Sequence, residues 1–181
     1  LLPRLSLVRN VHAAVRSARR DWSAEKVDSA AERYLQGVGL WEHRDKKPHQ
    51  VSGGMQQRCA VARAFAVEPR VLLLDEPFGA LDALTRARLQ AQLIDLWSSE
   101  SETEMVVMVT HGIDEAILLS DRVVVMSNPP GRSVSAVIPV DIPRPRDRVS
   151  IIDDPHFRDV QTELLALLYR DQAREVEGAV A

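Results

Sequence analysis

Three short stretches of this chain hold side chains whose types and spacing could act on a phosphate. Ser52-Gly53-Gly54-Met55 stands where a helix is expected to begin, and a helix N-terminus offers unpaired N–H groups and the positive end of its dipole to an anion. Its two glycines let a phosphate approach the backbone with no Cβ in the way. Asp75-Glu76 follows the apolar run Val71 to Leu74, so two carboxylates emerge at the C-terminal edge of a strand, where open α/β sheets bind ligands. One acid there can hold Mg²⁺ through water, and the next can orient or deprotonate an attacking water. His111, directly after Val109-Thr110, is placed to contact a γ-phosphate or that water. Taken singly, each has a plainer reading: a capped turn, a polar strand end, a loop histidine. Their order in one chain makes them specific. The run G-x-x-x-x-G-K-[ST], the usual phosphate cradle, does not occur in the 181 residues.

The elements that must carry these residues follow from periodicity. Ser6 is placed to cap a helix with Leu7, Val11 and Val15 on one face. Ser23 caps a second, bearing Val27, Ala30, Ala31, Tyr34 and Val38 and ended by Gly37 and Gly39; Ser52 caps a third, running to about Val67 before Pro69. From Arg70 the texture changes. Val71 to Leu74, Met105 to Thr110 and Arg122 to Ser127 read as buried strands. They alternate with a helix opened by Asp82, with Leu89, Leu93, Leu96 and Trp97 inward, and a short helix over Ile113 to Leu119. That alternation predicts an α/β fold with a parallel sheet covered on both faces. Asn128-Pro129-Pro130-Gly131 should turn the chain into an antiparallel edge strand over Val134 to Val140. Pro143-Arg144-Pro145-Arg146 reads as a stiff, extended basic linker leading to an amphipathic helix with Phe157, Val160, Leu164, Leu167 and Leu168 on one face.

Composition narrows the partners. A net charge of −3 and a pI near 6.0, with Lys and Arg scattered, give no cationic field for nucleic acid. The single cysteine, Cys59, has no internal disulfide partner, and the five histidines are far apart in sequence. No apolar run approaches the ~20 residues of a membrane helix, so a soluble chain is expected. Leu1 is not an initiator methionine, and the sequence is expected to begin inside a longer reading frame.

Together, Ser52 to Met55, Leu72 to Glu76, Gly79-Ala80-Leu81-Asp82 and His111 resemble the signature loop, Walker B strand, D-loop and switch histidine of the nucleotide-binding subunit of ABC transporters, and the likeness covers essentially the whole chain. The resemblance implies a P-loop NTPase-type parallel sheet whose phosphate-loop strand is missing here, joined to a helical signature subdomain. It divides the chain into a helical and signature part over 1–68, the C-terminal part of the ATPase core over 69–142, and a linker with its C-terminal helix over 143–181. It also implies an ATPase that works as a two-fold dimer, each ATP held between the phosphate loop of one subunit and the signature loop of the other. Asp75 would then serve Mg²⁺, Glu76 the water and His111 the γ-phosphate. Ser52, Gly53, Gly54 and Met55 would act on the partner's ATP, with Asp82 at the dimer seam. Met55 departs from the glutamine most common in the family, at little expected cost because backbone N–H groups do the binding.

The family's phosphate loop, adenine-stacking aromatic and γ-phosphate-sensing glutamine lie upstream of the stretch that Leu1-Leu2-Pro3 resembles. The 181-residue chain alone is therefore expected not to turn over ATP, and the missing central strand to leave apolar edges exposed. Ser52 to Met55 followed by Asp75 to Arg86 is similar to importers of nitrate, sulfonates, taurine and related anions, and Val123 to Gly131 with Val140 to Arg146 looks most like the nitrate-type subunits, with sulfonate or taurine importers as the alternative. The implied partners are a second ATPase subunit, identical or not, an integral membrane permease on which residues 1–50 would dock, and indirectly a solute-binding protein. The implied location is peripheral, on the cytoplasmic face of the membrane. The rival is a non-catalytic fragment that lends Ser52 to Gly54 to an intact subunit.

Overall fold

Ser6, Ser23 and Ser52 each hold extended backbone one residue before a helix, and each hydroxyl accepts the N–H of the residue three further on. These caps start α1 (Leu7–Ala18), α2 (Ala24–Gly37) and α3 (Gly53–Phe65) in a computed structural model that describes residues 1–79, 81–98, 102–126 and 134–179. The three helices pack on one another through Leu7, Val11 and Val15, through Val27, Ala31, Tyr34 and Leu35, and through Cys59, Ala62 and Phe65, all buried. The rings of Tyr34 and Phe65 stack with centroids 6.4 Å apart. Burial pushes the Tyr34 hydroxyl pKa up to about 12, with Glu68 adding to the effect, so it stays a neutral donor toward that carboxylate. Gly37 is the last residue of α2, and Gly39 takes φ 66°, the left-handed conformation that lets the chain leave the helix. Helix α3 stops at Phe65, short of the expected Val67, because Glu68 turns left-handed at φ 48° and Arg19 donates to the carbonyls of Val67 and Glu68.

Beyond these helices come β1 (Val71–Asp75), α4 (Ala83–Ser98) and β2 (Met105–Val109), with β1 and β2 parallel and paired Val71 to Met105 through Asp75 to Val109. Then follow α5 (Ile113–Leu119), β3 (Arg122–Met126), β4 (Val134–Pro139) and α6 (Pro155–Ala179). The chain forms two compact units, Leu1–Val109 and Thr110–Ala181. The division falls inside the stretch 69–142. Each unit holds one strand pair, and the class is mixed α/β with a parallel sheet.

Three expectations are corrected. Among the described residues β3 pairs with β4 alone, antiparallel with a register shift at Val125/Met126, rather than extending the parallel sheet. The strands are also less buried than continuous apolar runs suggest. In β1 Leu72 and Leu74 are buried while Val71 and Leu73 are exposed, and the register places Met105, Val107 and Val109, also exposed, on that same face. Exposed apolar surface therefore lies across a sheet face and not merely along an edge. Finally, α6 buries Phe157 and Leu164 with Val160 and Leu167 beside them, but Leu168 is 40% exposed, since it lies a further 100° round the helix from Leu167. Leu89 and Leu93 of α4 are buried as expected; the side chains of Leu96 and Trp97, and the Asn128 to Gly131 turn, lie outside the described residues.

The linker reading of Pro143 to Arg146 also changes. The chain bends at Arg144-Pro145, and Arg146 is 7% exposed. Its guanidinium donates to the carbonyls of Ile117, Ser120, Val140 and Ile142 at 2.8, 2.6, 2.9 and 2.9 Å, and Arg144 donates to Leu119 at 2.8 Å and to Asp121. Two of these carbonyls, of Ile117 and Leu119, belong to the last turn of α5 and a third to its C-cap Ser120, where a helix has no N–H of its own to offer.

Candidate functional site

At the start of α3, Ser52 Oγ accepts the Met55 N–H at 3.2 Å and Ser52 O accepts the Gln56 N–H at 2.9 Å. The cap thus uses the Met55 amide. Gly53 and Gly54 lie in the first turn, where the helix supplies no carbonyl for their amides. The two glycines differ in surroundings. A Cβ on Gly53 would meet nothing within 4 Å, so its backbone is open to a ligand. A Cβ on Gly54 would stand 2.9 Å from Leu81 Cδ2, so that position is small because the turn before α4 packs against it.

Asp75 ends β1 with its side chain exposed. Glu76 follows at φ 43°, a left-handed conformation uncommon outside glycine. Its peptide is held on both sides: the N–H donates to Val109 O at 2.9 Å, and the carbonyl accepts from Gly79 N–H at 3.2 Å and from the Gln57 side-chain amide at 2.8 Å. The Glu76 carboxylate lies over Gly79, where a Cβ would come within 3.4 Å of Oε2. Pro77 and Phe78 are buried behind it and anchor the turn. Asp82 accepts the Thr85 N–H at 3.0 Å, and hydrogen bonding by Thr85 holds its carboxyl below the usual range. Its visible task is to start α4.

His111 is exposed on the short connection into α5 in the second unit. That connection is braced by Thr110, whose hydroxyl donates to the buried Glu115 carboxylate and accepts the Gly112 N–H at 3.0 Å. The first unit brings Ser52 to Met55, Asp75, Glu76 and Asp82 onto connected elements, through Gln57 to Glu76 and Gly54 to Leu81. Ala80 lies outside the described residues. Glu115 carries no signal in the sequence, and the contacts made by Gln57, Leu81 and Thr110 are not written there either. Each lies within a few positions of a motif, but only side-chain contacts distinguish it from its neighbours.

Among the described residues no group of three or more His, Cys, Asp and Glu could hold a metal, and no helix is long and apolar enough to cross a membrane. An exposed carboxylate such as Asp75 fits a cation that keeps most of its own waters, as Mg²⁺ does.

Comparison with known proteins extends the pattern beyond the motifs. Residues 1–79 match the ABC transporter family profile. The chain is 44% identical to the nitrate import ATP-binding protein NrtD of Synechococcus elongatus over 97% of its own length and 63% of that protein's. It is 45% identical to the nitrate transport protein NasD of Klebsiella oxytoca over 96% of its length and 66% of the relative's. It is also 45% identical to the bicarbonate transport ATP-binding protein CmpC of Synechocystis over 93% of its length, which is 25% of that protein. Among solved structures, the dimeric ATP-binding cassette MJ0796 bound to ADP and Pi is similar at a TM-score of 0.64 and 30% identity, covering 77% of this chain and 59% of that one. The chain thus spans less than two thirds of NrtD's length. Identity of 44% over 97% of the chain, with the family profile matched over residues 1–79, shows that this chain belongs to the ABC transporter family, in its ATP-binding domain.

Proposed function

We propose that the chain is the signature and hydrolysis part of the ATP-binding subunit of an importer for a small anion, nitrate in the first instance, working as a dimer beneath a membrane permease. The arrangement at the end of β1 carries this reading: an exposed Asp75 followed by a Glu76 whose peptide is pinned in a left-handed turn. Such a turn fixes a carboxylate at the sheet's C-terminal edge, where a general base must be held before water arrives. Asp75 is the residue to hold Mg²⁺, which neutralises phosphate charge when bound. Glu76 orients and deprotonates the attacking water, and His111 contacts the γ-phosphate. The first-turn amides of Gly53 and Gly54, with the Ser52 hydroxyl as a further donor, close on the ATP of the partner subunit. Met55 completes that loop by giving its own amide to the cap. Asp82 sits at the seam between the two subunits while capping α4.

Nitrate is favoured because two of the relatives above bear that name. The bicarbonate relative keeps a second small, singly charged oxyanion in play. Neither sulfonate nor taurine gains support from them. The location that follows is peripheral, at the cytoplasmic face of the membrane that holds the permease. In the reconstituted full-length transporter, Glu76→Gln should lower Mg²⁺-dependent ATP hydrolysis by about 10²- to 10⁴-fold while leaving ATP binding intact. Hydrolysis at the wild-type rate in that variant would remove Glu76 as the base. Nitrate, presented with the solute-binding protein, should stimulate the wild-type rate more than bicarbonate or taurine does.

A further inference from the structure

The carbonyl of Glu76 is the meeting point of two parts of the first unit that serve different tasks. It accepts the Gly79 N–H within its own turn and the side-chain amide of Gln57, which stands on α3 one turn beyond the Ser52 cap. A left-handed φ of 43° at a glutamate is held in place only by its surroundings. Of the contacts on this peptide, those from Val109 and Gly79 come from the sheet and the turn, whereas that from Gln57 comes from the helix whose first turn bears Ser52, Gly53 and Gly54. A tilt or shift of α3 therefore pulls on the peptide that aims the Glu76 carboxylate. The Gly54 to Leu81 approach gives the same helix a second hold on the far end of that turn.

We propose that Gln57 is a positioning residue that ties the aim of Glu76 to the seating of the signature helix. Closure of one subunit's signature loop on its partner's ATP would then set that same subunit's own base. The inference rests on the roles proposed above for Glu76 and for Ser52 to Gly54. The route between the two ATP sites then runs within each subunit from the first turns of α3, across one side-chain hydrogen bond, to the residue after β1.

The test is made in the full-length transporter with Gln57→Leu, Gln57→Glu and Gln57→His. Leucine removes the amide. Glutamate keeps the shape but, when ionised, has no proton to donate, and histidine restores an N–H at nearly the same reach. Losing one such hydrogen bond should lower kcat by roughly five- to tenfold for the leucine and glutamate variants, with KM for ATP unchanged, and the histidine variant should recover most of the loss. On a Glu76→Gln background, where there is no base to aim, Gln57→Leu should cost nothing further. ATP-dependent dimer formation on that background should also be unaffected. A raised KM, a weakened dimer, a full additive loss on the Glu76→Gln background or failure of histidine to rescue would each overturn the proposal. If Glu76→Gln itself hydrolyses ATP normally, the reading on which the proposal rests has failed, and that result is seen before any Gln57 variant is compared.

Discussion

The paired glycines are one motif in the sequence but two physical situations in the fold. Gly53 is open around its missing Cβ, whereas Gly54 is pressed against Leu81, itself 5% exposed, so that side chain can yield only by repacking. Gly53→Ala should therefore keep or raise the stability of the chain by up to about 1 kcal/mol, as a better helix former in the first turn of α3. It should nonetheless lower ATP turnover in the assembled transporter by filling the space a phosphate needs. Gly54→Ala should instead cost on the order of 1–3 kcal/mol in urea unfolding, and Leu81→Ala in the same chain should return part of that cost. Equal stability in the two single variants would contradict this distinction. The acids and the Ser-Gly-Gly run were legible because their chemistry is written in residue type and order. The left-handed Glu76, the Gln57 contact and the Leu81 approach were not, because each depends on where a neighbouring element comes to rest.

Among the elements, helix starts are legible in the sequence, since a serine cap and the apolar face that follows are local. Their partners are not. Pro143 to Arg146 looked like a stiff basic spacer because nothing in a four-residue run announces distant carbonyls. In the fold it works as a remote C-terminal cap for α5, with Arg144 and Arg146 taking the carbonyls of Ile117, Leu119 and Ser120. Burial lowers the pKa of Arg146, with Arg144 pushing the same way and Asp121 opposing, yet a guanidinium begins so far above neutrality that it stays charged. A buried charge with four carbonyl partners is stabilising only while all are present. Arg146→Leu should lower stability by about 2–4 kcal/mol, Arg146→Lys by less because one ammonium has three protons for four acceptors, and Arg144→Ala, on the surface, by about 1 kcal/mol or less. Urea midpoints of the three variants give the order directly. Strand burial is hidden from the sequence for the same non-local reason. A run such as Val71 to Leu74 declares that it can be buried on both faces, not that both faces are covered within these residues.

At the scale of the whole molecule, the question is whose ATP each motif serves. Ser52 to Gly54, Asp75 and Glu76 all lie in the first compact unit, so with the roles proposed above one chain would contribute both a phosphate-closing loop and a base. If the loop acts on the partner's nucleotide, two defects have different consequences depending on how they are shared out. Take Glu76→Gln to remove the base and Gly53→Asp to set a negative charge against the phosphate, at a position where a Cβ has room, with no tertiary neighbour within 4 Å. In a transporter with Glu76→Gln in one ATPase subunit and Gly53→Asp in the other, both defects fall in the same ATP site, and the second site is intact. With both substitutions in a single subunit, its own site lacks the base and the opposite site lacks the loop, so neither works. The divided arrangement should hydrolyse ATP at least about tenfold faster than the combined one, given the cost of losing a general base. A loop that served its own chain's nucleotide would invert the order, because the combined arrangement would then leave one subunit whole. Differentially tagged subunits purified as mixed dimers with the permease distinguish the two, since both arrangements contain the same substitutions in the same number.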